Sequence, residues 1–260
     1  MDIKKNNYIF KRVENKYLLT QWQYELLKSE FSEYMEVDEY GLSKICNIYY
    51  DTEDYNLIRT SIDKPAYKEK FRLRSYGIPD NDDYPVYLEI KKKYDGIVYK
   101  RRTKLSYREA TDYLYDSKRP SRDDQILHEI DYFFEFHKPQ PMIYIAYDRI
   151  ATYCKDNPWL RITFDFNIRS RFDNPQLAYG DKDTSLLFDN GEVLMEIKVN
   201  DAYPLWLTEI LSRLKIYPTN FSKYGYFYKQ NLMSKGNEAA ELELNNLIQA
   251  PIRSHLINIL

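Results

Sequence analysis

The sequence is poor in the residues that form covalent cross-links and transition-metal centres. It has two cysteines, Cys46 and Cys154, and three histidines in 260 residues. Each cysteine lies in an apolar or aromatic stretch, which is not a disulfide framework and fits a reducing compartment. The histidines, His128, His137 and His255, have no Cys or His partner at ligand spacing. A metal site built from cysteine and histidine is therefore not expected.

A surplus of charge and a long apolar run are also missing. Lys plus Arg total 38 against 40 for Asp plus Glu, so the formal net charge is −2, which gives no overall attraction for nucleic acid. No stretch approaches the roughly 18 uncharged apolar residues that span a bilayer, and the first residues are polar. We therefore expect a cytoplasmic protein with no nucleic-acid partner and no direct membrane insertion. Any anion site must be local.

Tyrosine, by contrast, is abundant, with 27 residues. Together with Val, Ile, Phe and Thr it favours strands over helices. The length fits one sizeable domain, and clusters of Pro, Asp, Asn and Gly mark loops between the elements. The segments between these clusters predict eight strands, enough to close a barrel. They are 8–19, 44–50, 67–76, 86–93, 97–104, 142–150, 160–171 and 193–199.

Helical spacing and capping residues predict four helices, over 21–34, 107–115, 124–136 and 204–214. Thr20 can cap the first, and Ser106 with Glu109 forms a capping box for the second. The last 25 residues show an amphipathic pattern. We therefore divide the chain into a domain of residues 1–235 and a helical tail of residues 236–260.

The polar faces of the predicted strands carry an unusual charge pattern. Residues two apart in a strand share a face, so the strand over 67–76 presents four cations in line, Lys68, Lys70, Arg72 and Arg74. Other strands repeat this pattern with the cations Arg12, Lys16, Lys91, Lys93, Lys100, Arg102, Lys104, Arg149, Arg161 and Lys198, and Tyr147 shares a face with Arg149.

Two interpretations of this pattern are open. The polar faces are either the solvated surface of a sandwich, where charged residues ordinarily lie, or the lining of a barrel lumen. Like charges opposite one another on neighbouring strands are destabilising, and a bound polyanion would relieve the repulsion. We therefore predict an α+β fold in which a closed antiparallel eight-stranded β-barrel, with helices packed on its outside, binds a chain of phosphates in its lumen.

Three carboxylates, Glu14, Glu89 and Glu196, lie at lumen-facing positions among these cations. They either pair with neighbouring Lys and Arg or hold a divalent metal. Oxygen ligands with open positions suit Mg²⁺ or Mn²⁺ that bridges phosphates. Ser222 lacks a Gly-x-Ser-x-Gly turn and a nearby His, so a nucleophilic serine is not expected.

Nine motifs follow one another along residues 8–230: Glu14-Asn15-Lys16-Tyr17, Ile48-Tyr49-Tyr50-Asp51-Thr52, Phe71-Arg72-Leu73-Arg74-Ser75-Tyr76-Gly77, Leu88-Glu89-Ile90-Lys91-Lys92-Lys93, Tyr99-Lys100-Arg101-Arg102, Tyr147-Asp148-Arg149, Arg161-Ile162-Thr163-Phe164-Asp165, Leu194-Met195-Glu196-Ile197-Lys198 and Phe221-Ser222-Lys223-Tyr224-Gly225. In this order they resemble the catalytic domain of the vacuolar transporter chaperone (VTC) complex. That domain is the polyphosphate polymerase branch of the CYTH-like triphosphate tunnel metalloenzymes.

The resemblance implies a role for individual residues. Those implied to grip the triphosphate or polyphosphate are Lys16, Arg72, Arg74, Lys91, Lys100, Arg149 and Arg161. Tyr147, Ser222 and Lys223 would assist, and Arg102 and Lys198, on the same faces, join the substrate-binding set. Glu196, with Glu14, is implied to hold Mn²⁺ or Mg²⁺.

The resemblance also implies the function. We expect a polyphosphate polymerase that transfers the γ-phosphate of ATP to phosphate or polyphosphate, as a stand-alone catalytic domain. Arg12 stands where the wider superfamily has the first Glu of its signature, which favours the polymerase over a triphosphatase. Asn220 stands where a Lys is expected. The alternatives are a triphosphatase or other nucleotide-processing enzyme, and a non-catalytic polyphosphate binder.

Overall fold

A computed structural model describes residues 12–122, 124–200 and 202–234. The strands are β1 (Arg12–Leu19), β2 (Met35–Asp51), β3 (Tyr67–Tyr76), β4 (Pro85–Tyr94), β5 (Ile97–Ser106), β6 (Gln140–Cys154), β7 (Arg161–Arg171), β8 (Ser185–Leu186) and β9 (Val193–Asn200). The helices are α1 (Gln21–Phe31), α2 (Asn56–Ile62), α3 (Tyr107–Asp116), α4 (Gln125–His137), α5 (Leu205–Arg213) and α6 (Lys223–Ser234). The predicted tail, 236–260, and the start of the first predicted strand, 8–11, lie outside the described residues.

The long strands form one antiparallel sheet in the order β1-β9-β7-β6-β2-β3-β4-β5, and the short β8 pairs with β7. This confirms the predicted α+β class. Within the described ranges the outer strands β1 and β5 are not hydrogen-bonded to each other, so the sheet is open and the predicted closed barrel is not confirmed. Closure needs a full ladder between the two outer strands, whereas residues 97–102 of β5 are exposed, as expected of an edge strand.

The sheet is nevertheless strongly curved. Five strand-to-strand steps separate β1 from β3, a distance of roughly 24 Å in a flat sheet. Burial lowers the pKa of Lys70 on β3, and the ammonium of Lys16 on β1 lowers it further. Contacts show the same bend: Lys16 Nζ donates to the carbonyl of Phe221 at 2.9 Å, and the hydroxyl of Tyr224, three residues later, donates to Asp51 at the end of β2 at 2.9 Å. We call the side that Lys16 and Lys70 share, with Arg72, Glu89 and Arg149, the concave face.

The opposite, convex face is covered by helices, as predicted. One apolar cluster packs α1 and α5 against β1, β9 and β7, through residues such as Leu27, Phe164 and Leu207. A second packs α3 and α4 against β2 to β5, through residues such as Phe71 and Phe133. The two predicted capping residues, Thr20 and Ser106, form capping boxes. Among the described helices, none combines the length and apolarity required to cross a bilayer.

Two helices that the sequence did not predict, α2 and α6, lie on the concave side. They pack with Ile143, Ile145 and other apolar residues of that face in a third cluster. Asp51, at the end of β2, joins both helices to the sheet. Its carboxylate accepts the backbone N–H groups of Leu57 (2.8 Å) and Ile58 (3.0 Å) in α2 and the hydroxyl of Tyr224 (2.9 Å) in α6. Part of the concave face is therefore filled, and the cations occupy the remainder.

Candidate functional site

The concave face carries cations from almost every long strand. The residues of each strand that were predicted to share a polar face do share it. The register sets Arg72 opposite Glu89, Glu89 opposite Arg102, and Arg149 opposite Asp165. Residues directly opposite in a ladder point to the same side. The polar faces predicted from strands far apart in the sequence are therefore one continuous surface.

Glu89 is the anchor of the first group of cations, which we call the arginine centre. Its side chain is 2 % exposed, and its Oε2 accepts Arg72 Nε at 2.7 Å. Lys100 Nζ lies 2.9 Å from Oε1, and Arg74 Nε lies 3.9 Å from Oε2. Burial would raise the pKa of Glu89, but Arg72, Arg74 and Lys100 outweigh it and hold that pKa well below the usual range. Glu89 is therefore ionised and holds three cations in place.

Neutral side chains fix the two arginines further. Arg72 Nη1 donates to the hydroxyl of Tyr49 at 2.9 Å. Arg74 Nε donates to Asn47 Oδ1 at 2.9 Å, and its Nη2 donates to the hydroxyl of Tyr147 at 3.1 Å. A planar guanidinium held at several nitrogens loses little further freedom when it binds an anion. The guanidinium groups of the arginine centre are therefore held in fixed orientations.

Asp165 anchors the second group. Arg149 donates to it with two nitrogens, Nε at 2.6 Å and Nη2 at 2.8 Å, and Lys223 Nζ lies 2.5 Å from Oδ2. Both cations also contact the ring of Tyr147, with Arg149 at 5.1 Å and Lys223 at 4.3 Å from its centroid. Because Arg74 binds the hydroxyl of the same Tyr147, this ring joins the two groups.

The position of Tyr147 changes its acidity. Burial alone would raise the pKa of the phenol, but Arg74, Arg149 and Lys223 together lower it to about 8. Neighbouring cations favour the charged form of an acid. Tyr147 is therefore a sensitive reporter of the positive charge on the concave face.

We expect a phenolate transition with a midpoint near pH 8 in the near-ultraviolet absorbance of the native protein, and its loss in Tyr147→Phe. Added tripolyphosphate should move the midpoint upward, because a bound anion neutralises the cations that stabilise the phenolate. Tyr153→Phe is the control, since Tyr153 is exposed and its pKa is raised by a hydrogen bond to Glu36. Persistence of the transition in Tyr147→Phe would show that another group produces it.

Glu196 on β9 anchors the third group. It pairs with Lys198, and its Oε2 lies 4.0 Å from Lys16 Nζ, which also donates to the carbonyl of Phe221 at 2.9 Å. Burial would raise the pKa of Glu196, but Lys198 and Lys16 hold it well below its usual range. The carboxylate is therefore charged on a face that is otherwise mostly cationic.

The predicted metal ligands fit a divalent cation that is shared with phosphate. Glu14 is exposed on β1 opposite Lys198, and Glu196 is opposite Lys16, so the two carboxylates are diagonal neighbours on one face. The described residues contain no group of three Asp, Glu, His or Cys side chains that would hold a metal without other ligands. Mg²⁺ uses one or two carboxylates and takes its other ligands from phosphates and water.

Three other predicted cations, Arg161, Arg102 and Lys91, form no ion pair with Glu89, Asp165 or Glu196 within the described residues, although Arg102 lies opposite Glu89 and Lys91 opposite Lys100. Arg161 is exposed and pairs with Asp38 at 3.0 Å. Arg102 is exposed and lies over the ring of Tyr87, with 5.1 Å to the centroid. Lys91 is exposed on β4. Ser222 Oγ accepts the N–H of Gly225 at 3.3 Å, at the start of α6.

Sequence reasoning missed Asp165, Asn47 and Tyr49 as parts of the site. Asn47 and Tyr49 alternate on the predicted strand over 44–50, and Asp165 shares a face with Arg161 and Thr163, so strand parity alone could have identified them.

The sequence profile of the VTC domain family matches residues 11–231. Among solved structures, a protein of Bacillus halodurans provisionally described as an adenylate cyclase is similar, with a TM-score of 0.52 and 15% identity, over 81% of this chain and 93% of that one. A protein of Pyrococcus horikoshii OT3 aligns with a TM-score of 0.46 and 13% identity, over 84% of this chain and 99% of that one. At these identities the Bacillus likeness shows the fold alone. No curated protein matches.

Proposed function

This chain belongs to the VTC domain family, and we propose that it is a polyphosphate polymerase that transfers the γ-phosphate of ATP to a growing polyphosphate chain. The observation that carries the proposal is the arrangement around Tyr147. Arg74, Arg149 and Lys223 converge on this one ring, while Glu89 and Asp165 hold the surrounding cations rigid. The arrangement can bind several phosphate oxygens at once.

Phosphoryl transfer suits such a site because positioning and charge stabilisation supply most of its catalysis. In the proposed reaction Arg72, Arg74 and Arg149 bind the oxygens of the transferring phosphoryl group. Lys16 and Lys223 neutralise the phosphates on either side. The attacking oxygen belongs to a phosphate that is already anionic at neutral pH, so no general base is needed. As it bonds to the γ-phosphorus, the bond from the γ-phosphorus to the oxygen that bridges it to the β-phosphate breaks, and ADP leaves.

A bound Mn²⁺ or Mg²⁺ would neutralise charge on the phosphates. In the proposal, Glu196 and Glu14 hold this ion. Lys198 and Lys16 keep Glu196 ionised when no metal is bound. These two lysines neutralise the Glu196 carboxylate, and a bound metal ion would take over that role. Metal binding is therefore expected to free both ammonium groups to contact phosphate.

The proposal is tested by incubating the protein with ATP and Mn²⁺ and separating the products on a gel. An acid-labile polymer of phosphate is expected. Free phosphate as the main product would instead identify a triphosphatase. Absence of turnover with normal polyphosphate binding would identify a non-catalytic binder.

We expect Glu196→Gln to lower polymer formation roughly 10–100-fold, because one metal ligand is lost. Mn²⁺ affinity, measured from the electron paramagnetic resonance signal of free Mn²⁺, should fall in parallel. Glu135→Gln is the matched control, since Glu135 is exposed on α4 on the convex side. Unchanged Mn²⁺ affinity in Glu196→Gln would exclude Glu196 as a ligand.

A further inference from the structure

Six apolar side chains form an exposed patch at one end of the convex face. Four of them come from the start of β3, the end of β4 and the start of β5, and two lie one turn apart on α4. Each is between 46% and 68% exposed. We call them the rim patch: Tyr67, Tyr94, Ile97, Tyr99, Tyr132 and Phe136.

The side chains of the rim patch are neighbours on one surface. Tyr67 has the strand parity of Phe71, which packs under α4, so it lies on the convex face. Tyr94 lies directly opposite Tyr67. Burial, then Glu69 and Tyr132, raise the pKa of Tyr67 to about 12. The rings on α4 are therefore close to those on the strands.

The rim patch is large for the surface of a single chain. An aromatic side chain buries about 150–250 Å², so six such groups at about half exposure present roughly 500–700 Å². The largest apolar patch of a typical monomer is about 300–600 Å² and is often functional. The rings of Tyr132 and Phe136 also stack, with their centroids 6.0 Å apart, and so form a continuous apolar surface. We therefore expect another apolar surface to cover the patch.

The same chain contains a matching apolar pattern in residues 236–260, which lie outside the described residues. Four apolar residues recur there at the i, i+4, i+7 and i+8 spacing of one helical face: Ala240, Leu244, Leu247 and Ile248. Gly236 and Asn237 before them are typical of a turn, and Pro251 follows them. An isolated helix of about 12 residues is marginal in water, so this segment needs an apolar partner.

The last described helix leads towards the rim patch. Asn231, near the end of α6, lines one cavity with Gln140 at the start of β6. Phe136 precedes Gln140 by four residues, which span at most about 14 Å. The six residues from Ser234 to Ala240 reach about 20 Å when extended. The segment that begins near Ala240 is therefore within reach of the patch.

Charge favours this segment over a second copy of the chain. Two cations border the patch: Lys92, which lies opposite Tyr99, and Lys138, which is exposed just after α4. Glu69 beside them already pairs with His137 at 2.7 Å. The tail supplies three carboxylates, Glu238, Glu241 and Glu243. A second copy would instead bring the same two lysines to the patch, and like charges across an interface are unfavourable.

We propose that the rim patch is the docking surface for residues 239–250 of the same chain. The tether keeps the segment near the patch at an effective concentration in the millimolar range, so a modest apolar contact is sufficient for docking. The docked segment lies on the convex side of the sheet, and the cations of the concave face stay accessible to an anion. This inference is independent of the proposed enzymatic activity.

Cross-linking of engineered thiols in the full-length chain tests the proposal. The native cysteines, Cys46 and Cys154, are buried, and buried structural thiols are inert. In Tyr132→Cys/Leu247→Cys, a short bismaleimide reagent is expected to join the two new thiols within one chain. Mass spectrometry of the digested product identifies the linked peptides.

Tyr153→Cys/Leu247→Cys is the matched control. Tyr153 is also an exposed tyrosine, but it lies at the other end of β6 from Gln140, about 44 Å away along a strand. Its cross-link within one chain is expected to be roughly tenfold weaker. Equal yields in the two variants, or no cross-link in either, would overturn the proposal. A cross-link between two chains that grows with protein concentration would overturn it in favour of a second copy.

Dye binding gives a second measurement, which does not depend on where each residue of the segment lies on the patch. Leu244→Ser/Leu247→Ser in the full-length chain should release the segment and raise the fluorescence of Nile red, a neutral dye for apolar surfaces, roughly twofold. Adding Phe136→Ser should return the fluorescence towards the native level. Unchanged fluorescence in the first variant, or an increase that Phe136→Ser does not reduce, would contradict the proposal.

Discussion

Glu89→Gln is expected to lower the free energy of unfolding by about 3–5 kcal/mol, the effect of removing one partner from a buried ion pair. Glu89 is 2 % exposed and balances Arg72, Lys100 and, at 3.9 Å, Arg74. The amide can accept a hydrogen bond from Arg72, but it cannot offset the positive charges. Urea denaturation measures the change.

The same variant should respond more strongly to an anion. Tripolyphosphate stabilises the folded state in proportion to its affinity, and loss of the competing carboxylate raises that affinity, so added tripolyphosphate should restore part of the stability. Glu129→Gln is the control. Glu129 pairs with Arg101, whose side chain is 45% exposed, so this ion pair is expected to contribute less than about 1 kcal/mol. A stability loss in Glu89→Gln that tripolyphosphate does not reduce would argue against an anion site at the arginine centre.

Arg149→Lys is expected to lower polymer formation by about 10²–10³-fold, the range found when a positioned donor to the reacting group is removed. Arg149 holds Asp165 with two nitrogens and lies over Tyr147. Lysine keeps the charge and loses the planar, two-point geometry. Initial rates of polymer synthesis at saturating ATP measure the effect.

Arg161→Lys is the matched control for this prediction. Arg161 was predicted to grip phosphate on the same grounds as Arg149, but its side chain is 55% exposed and pairs with Asp38. A change of less than about threefold is expected, because exposed ion pairs contribute little. An equal loss in both variants would show that charge alone, and not the fixed geometry at Asp165, determines the rate.

The strand parity and the convex helices could be predicted from the sequence because they follow local rules. Lys68 to Arg74 alternate with Phe71 and Leu73, and the structure buries the two apolar residues under α4. Thr20 and Ser106 cap helices through contacts three residues away. Such signals depend only on neighbouring residues.

The missed elements depend on contacts between distant parts of the chain. The first half of β2 was not predicted, because its polar residues resemble a loop and a register shift interrupts its pairing with β6 between Val37 and Leu42. The start of helix α2 is held by Asp51, whose carboxylate accepts the N–H of Leu57, six residues later in the chain. Helix α6 is aromatic on several sides because it packs into the curved sheet, so it lacks the apolar stripe of a surface helix.

The cations of the site were easier to predict from the sequence than the ion pairs that they form with carboxylates. Cations at period two identify Arg72, Arg74 and Arg149, but which carboxylate each one meets depends on strand order and register. Asp165 pairs with Arg149 across β6 and β7, after a register shift between Ala146 and Asp148. Sequence alternation cannot locate such a shift, since it changes the pairing without changing the residue types.

The pairing of β1 with β9 has a consequence for the order in which the molecule is made. Lys16 meets Glu196 about 180 residues later in the chain, and closing a loop of that length costs roughly 4–5 kcal/mol of chain entropy. At a synthesis rate of roughly 5–20 residues per second, β9 leaves the ribosome about 10–40 seconds after β1. Strands β3 and β4 are adjacent in the sequence and pair earlier. The half of the site that contains Glu14 and Glu196 is therefore completed last, after the strands that carry Arg72 and Glu89 have formed.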